Sequence, residues 1–272
     1  MKIWLIKGFE FYVKSSIHLA FSVTCLGGLS LVISQGKISE NVLIFIFSSA
    51  LFSYNFIKFF AFFFNSQKNK IPKSVLFISI VSFVVALGTL SNFSFVMKGF
   101  ALVGGILVVL YSVSFNGLYS NWRNKKGLKI YIVALSWILL TVAIPLASVS
   151  YFSISLFLKL GIIQFVYVWV ATLPFEIRDV TNDSSHLKTL PQQLGIYKTK
   201  IFGIVLLVMG VLCTLLFFGA NNELLFSTFM IFVLLGILLY YSDPSNSFYY
   251  TAFWVEGIPV VWLGSYFLFL YF

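Results

Sequence analysis

Nine apolar stretches, each about as long as a bilayer is thick, dominate this sequence and leave few folds open to it. A hydrocarbon core of about 30 Å takes about 20 residues of α-helix. Stretches of that order run over 13–34, 42–64, 74–91, 94–114, 129–149, 153–174, 200–219, 224–242 and 250–271. The breaks between them are short. Several carry turn-forming residues: Asn65-Ser66-Gln67, Ile71-Pro72, Asn221-Asn222 and Asp243-Pro244. The slightest break, Ser91-Asn92, separates the third stretch from the fourth. Within the stretches apolar and polar residues do not alternate, as they would in the strands of a membrane barrel. Backbone polar groups in lipid need partners within their own segment, so helices remain. Only 10% of the 272 residues are charged, against about a quarter in soluble domains, and no polar segment is long enough to fold by itself. The expectation is an all-α integral membrane bundle of about nine transmembrane helices, a single polytopic domain over 1–272.

The cations give that bundle a direction. Alternate loops on one side collect Lys2, Lys7, Lys14, Lys68, Lys70, Lys73, Arg123, Lys125, Lys126, Lys129, Arg178, Lys188, Lys198 and Lys200; the other side has Lys37 and Lys98. Fourteen against two places the first set, and the N-terminus, in the cytoplasm. The same topology accounts for the net charge of +10 without a nucleic-acid partner. The basic N-terminus lacks a small-residue cleavage site, so it reads as leading into a retained first span. Cys25 and Cys213 lie inside apolar stretches and read as small core residues. The excess of Lys over Arg, with abundant Phe, Ile and Ser, points to an AT-rich bacterial genome and hence to a bacterial inner membrane.

Eight acids stand out against this background. Glu176, Asp179 and Asp183 crowd the cytoplasmic end of the sixth span at spacing i, i+3, i+7. On one continuous helix they would project within about 60° of one another. Like charges held so close call for cations or a metal ion. One or two carboxylates, completed by water and phosphate oxygens, suit Mg²⁺. The plainer reading pairs these acids with Arg178 and Lys188 at an ordinary helix end, and spacing alone leaves both open.

The wider segment narrows the choice. Glu176-Ile177-Arg178-Asp179-Val180-Thr181-Asn182-Asp183, followed by Lys188-Thr189-Leu190-Pro191-Gln192-Gln193-Leu194-Gly195, resembles the second aspartate-rich motif of the UbiA superfamily of intramembrane prenyltransferases. The stretch from Arg123-Asn124-Lys125-Lys126-Gly127 to Trp137 is similar to the loop and the start of the fifth helix in that family. The resemblance implies transfer of a prenyl group from a prenyl diphosphate to a lipid-soluble acceptor, often aromatic, with Mg²⁺ as cofactor. It assigns Asp179, Asp183 and Glu176 to the metal and to catalysis. It assigns Arg123, Lys125, Lys126 and Lys188 to phosphate oxygens, with Tyr119 beside them.

One part of the family pattern is missing. A first aspartate motif belongs at the cytoplasmic end of the second span, where this chain reads Ser53-Tyr54-Asn55-Phe56-Ile57-Lys58; no acid occurs between Glu40 and Glu176. Asn55 matches the motif's asparagine, and Lys58 stands as an intramembrane cation in the same region, so both are candidate substrate-binding residues. Lys58 either snorkels to the interface or pairs with Asp179 or Glu176. A chain without those carboxylates also admits a second reading, a lapsed family member that binds isoprenoid or quinone lipid without turnover. A transporter would need more ionisable residues through the midplane. His18 reads as a packed polar residue, Lys159 as snorkelling outward, and Glu256, in the last span, as a cavity-lining or helix-bonding acid.

Overall fold

The computed structural model describes residues 2–35, 38–64, 72–112, 128–149, 151–184 and 187–271. Tyr119, Arg123, Lys125 and Lys126 lie outside them. Among the described residues nine helices are long and apolar enough to cross a membrane, and the chain is an integral multi-pass membrane protein. Its helices are α1 (Lys2–Lys14), α2 (Ile17–Gln35), α3 (Glu40–Phe64), α4 (Lys73–Ser91), α5 (Phe95–Ser112), α6 (Leu128–Ile138), α7 (Ile144–Ala147), α8 (Ile154–Asp179), α9 (Leu190–Leu194), α10 (Ile196–Phe218), α11 (Glu223–Tyr240) and α12 (Ile258–Tyr271). A π turn over Leu139–Ala143 joins α6 to α7, and another over Tyr250–Val255 precedes α12.

Local chemistry sets the boundaries. Ser153 caps α8, its Oγ accepting from the Leu156 N–H at 3.2 Å. Asn222 caps α11, its Oδ1 accepting from the Leu224 N–H at 2.8 Å. The first apolar stretch does not begin its crossing at residue 13. Ser16 adopts a left-handed φ of 66°, which ends α1 and lets a new helix start at Ile17. The sixth crossing runs on past residue 174 to Asp179, with Pro174 inside it. Proline has no N–H to donate, so the Val170 carbonyl loses its usual partner in the helix ladder.

The chain gathers into two compact units. The first holds α1–α5 with the Leu139–Ala143 π turn and α7. There α3 packs on α2, α4 and α5, while α2 also packs on the π turn and α7. Close packing of α2 on α3 depends on Gly27, where a Cβ would meet Ile46 Cδ1 at 2.5 Å. His18 lies in this unit as expected, 6% exposed, its Nδ1 3.0 Å from the Tyr12 hydroxyl. Lys58 donates from Nζ to the Lys14 carbonyl and stands over the Phe59 ring.

The second unit holds α6, α8, α9, α10, α11, the Tyr250–Val255 π turn and α12. In it α8 packs on α6, α10 and α11, and α11 on α10 and α12. Gly210 lets α10 close on its neighbours: a Cβ there would run into Phe232 and sit 3.1 Å from Val166. Phe232 packs edge-on against Trp262, which packs edge-on against Tyr167, with ring centroids 5.7 and 5.2 Å apart. Lys159 reaches the end of α10, donating to the Phe217 carbonyl at 3.3 Å; a cation there complements the helix C-terminus. Both cysteines are free.

Candidate functional site

The acid-rich end of α8 is built entirely within the second unit. Glu176 is 2% exposed and its Oε2 accepts from the Leu190 N–H at 3.3 Å. The carboxylate thereby satisfies one of the unpaired donors at the start of α9. Asp179 closes α8. Its two oxygens accept from one guanidinium: Arg178 Nε to Oδ1 at 2.7 Å and Arg178 Nη2 to Oδ2 at 2.9 Å. Arg178 also donates through Nη1 to Thr251 Oγ1, in the π turn of the last span. Its guanidinium lies over the rings of Phe175 and Phe248, 5.6 and 5.8 Å from their centroids. A planar fork suits a carboxylate on one edge and aromatic faces above and below.

Asp183 lies beyond the end of α8. The α-helix stops at Asp179, before the turn-forming run Thr181-Asn182-Asp183-Ser184. The Asp183 N–H still donates to the Asp179 carbonyl at 2.8 Å. The Asp183 Oδ2 is buried and has no hydrogen-bond partner among the described residues. Gln192 ties this turn to α9, donating from Nε2 to the carbonyls of Asp183 and Ser184 at 3.1 and 3.3 Å while its Oε1 accepts from the Thr189 N–H at 3.1 Å.

A cavity of about 160 Å³ opens beside Glu176, lined also by Lys129, Tyr131, Trp169, Lys188 and Gln193 among others; Asp179 and Asp183 do not line it. Lys188, expected at phosphate, lines it with its backbone in the left-handed region at φ 45°. A non-glycine residue there is strained, and such strain gathers at functional sites. Sequence reasoning missed Lys129 and Trp169 as site residues. Lys129 follows directly on the basic loop and read as one topological cation among several; Trp169 read as one more apolar residue in a span. Arg178 entered only as the ion-pair partner of the plainer reading, since nothing in the sequence shows that it reaches Thr251, 73 residues on.

Asn55 sits in the first unit, 2% exposed. Its Nδ2 donates to Ser79 Oγ at 2.9 Å, and its Oδ1 is buried without a partner among the described residues. Among the described residues no three His, Cys, Asp or Glu side chains lie close enough to hold a metal ion, so the expected trio of carboxylate ligands is not assembled. Mg²⁺ needs fewer, since one or two carboxylates with substrate phosphates complete its shell. The orphaned Asp183 oxygen fits that requirement.

No protein-family model and no curated protein sequence matches the chain. Solved structures do. A UbiA homolog from Archaeoglobus fulgidus aligns over 97% of this chain and 99% of its own, with TM-score 0.60 at 11% identity. A digeranylgeranylglyceryl phosphate synthase aligns over 94% of this chain and 97% of its own, with TM-score 0.53 at 14% identity. The chain therefore has the UbiA fold, and the resemblance read from the α8 motif agrees with the backbone over nearly its whole length.

Proposed function

We propose that this chain, built on the UbiA fold, is an intramembrane prenyltransferase of a bacterial inner membrane, taking a prenyl diphosphate as donor and a lipid-soluble acceptor, aromatic acceptors included. The observation that carries this reading is the end of α8: an acid with a buried, unpartnered oxygen, Asp183, in the same short segment as Lys188, on a backbone of this fold. In the reaction the C1–O bond of the prenyl diphosphate breaks, and the diphosphate leaves with the bonding electrons. The acceptor's nucleophilic atom bonds to C1 and gives up a proton.

Mg²⁺, when bound, neutralises the diphosphate as its charge builds. Asp183 would hold it, with Asp179 and Glu176 completing the acidic surface. Arg178 positions Asp179 by gripping both of its oxygens, and Lys188 and Lys129 offer fixed positive charge to phosphate oxygens. The apolar helices exclude water from the cationic carbon. Asn55, which matches the first motif's asparagine, and Lys58 serve the substrate as neutral and cationic groups. Tyr119, Arg123, Lys125 and Lys126 add a tyrosine and three cations of the basic loop to phosphate binding.

One observation favours a second reading, binding of isoprenoid lipid without turnover. The first motif keeps an asparagine, Asn55, but none of its acids, and both oxygens of Asp179 are already engaged. Purified protein given radiolabelled farnesyl or geranylgeranyl diphosphate and a membrane-lipid extract separates the two. Prenyl transfer predicts label in a lipid product with Mg²⁺, lost in Asp183→Asn and Asp179→Asn. Saturable binding of label with no product, with or without Mg²⁺, would overturn transfer and leave the binding reading.

A further inference from the structure

A second feature of the second unit lies apart from the acids. An apolar groove of about 530 Å³ runs along the outer surface between α10 and α11. On α10 it is lined by Ile204, Leu207, Val208 and Val211, one helical stripe. Continued one turn toward the N-terminus, that stripe reaches Lys200. On α11 the lining runs from Phe229 through Val233 and Gly236 to Tyr240 and Tyr241. The two stripes meet at one end, where Lys200 Nζ donates to the Tyr240 carbonyl at 2.7 Å and stands 5.9 Å from the centroid of the Tyr240 ring. That is the end the cation distribution assigns to the cytoplasm.

The groove is exposed, with Val208, Phe229 and Tyr241 at 55%, 56% and 66%. Gly236 deepens it for no packing reason. A Cβ on Gly236 would meet only Leu207 Cδ1, at an ordinary 3.6 Å, whereas one on Gly203 or Gly210 would collide with the neighbouring helix. At the closed end an ammonium has three donors and Lys200 spends one on Tyr240. The nearby Asp243 carboxylate is taken up by the Ser245 N–H and hydroxyl, at 2.9 and 2.6 Å. These bonds, the hydroxyl's first, hold the Asp243 carboxyl below the usual aspartate range, and the Lys200 charge adds slightly to that.

We propose that this groove is a binding site for one anionic phospholipid of the cytoplasmic leaflet, its acyl chain between α10 and α11 and its phosphate at Lys200 and the Tyr241 hydroxyl. An apolar channel capped by a cation between two membrane helices matches an anionic lipid in both its parts. The reading is independent of whether the protein transfers prenyl groups. Native mass spectrometry of the full chain in detergent, titrated with phosphatidylglycerol and with phosphatidylcholine, tests it. Wild type holds one phosphatidylglycerol about fivefold more tightly than phosphatidylcholine, the order a single interfacial lysine gives. Lys200→Met brings the ratio to about one. Gly236→Leu and Val208→Trp fill the groove from opposite walls and remove that bound lipid of either headgroup; two variants guard against one failing to fold. Wild type without a headgroup preference, Lys200→Met retaining it, or groove-filling variants that keep the lipid would each overturn the proposal. So would a wild-type dimer that either groove-filling variant converts to monomer, since the groove would then seat a second copy.

Discussion

Replacing Arg178 with methionine should cost more stability than any other single change at the end of α8. Two charge-assisted hydrogen bonds to Asp179 are lost, at 2.7 and 2.9 Å, each worth about 1.5–3 kcal/mol when shielded. The two side chains are 19% and 34% exposed, so water replaces part of that, and we roughly halve it. The Thr251 bond adds about 1 kcal/mol. The two ring contacts add about 0.5–1 kcal/mol each, much of which a methionine thioether against the same rings recovers. Freed arginine rotamers return up to about 2 kcal/mol. The net loss is about 2–3 kcal/mol, which in a chain of this size lowers the unfolding midpoint by about 5–10 °C.

Thermal unfolding in detergent, followed by intrinsic tryptophan fluorescence, measures this directly. Arg178→Lys should recover less than half of the loss, because an ammonium cannot grip both oxygens of Asp179 while reaching Thr251. A double-mutant cycle with Thr251→Val should show coupling of about 1 kcal/mol. A midpoint for Arg178→Met within about 1 °C of wild type would mean that Asp179 is not held as described, and strict additivity in the cycle that Arg178 does not tie α8 to the last span's π turn.

Two further substitutions separate strain from packing. Lys188→Gly should leave the midpoint unchanged or raise it by up to about 1 kcal/mol in stability, since glycine relieves the left-handed φ but loosens the unfolded chain; the same variant should weaken prenyl diphosphate binding severalfold, read by filter binding of labelled ligand. Gly210→Ala should destabilise by about 1–3 kcal/mol, because its methyl group runs into Phe232 and displaces a ring that packs on Trp262, whereas Gly236→Ala should be neutral or stabilising by up to about 1 kcal/mol; unfolding midpoints of the two variants side by side settle this.

The number of crossings and their approximate limits follow from the sequence alone, because the bilayer imposes a minimum apolar length and short polar breaks satisfy the turns. Orientation is read there too, from where the cations fall. The α8 motif was legible because acids are so scarce that three within eight residues cannot be background. Tertiary structure decided what those acids do. Asp183 lies beyond α8, which turn-forming residues stop at Asp179. Glu176 is spent partly on the start of α9, and Asp179 on an arginine whose other partner is in the last span. Ordinary helix periodicity could not reveal the lipid groove either. In lipid every outward face is apolar, so only the close approach of α10 to α11, and the meeting of Lys200 with Tyr240, distinguish that groove from the rest of the surface.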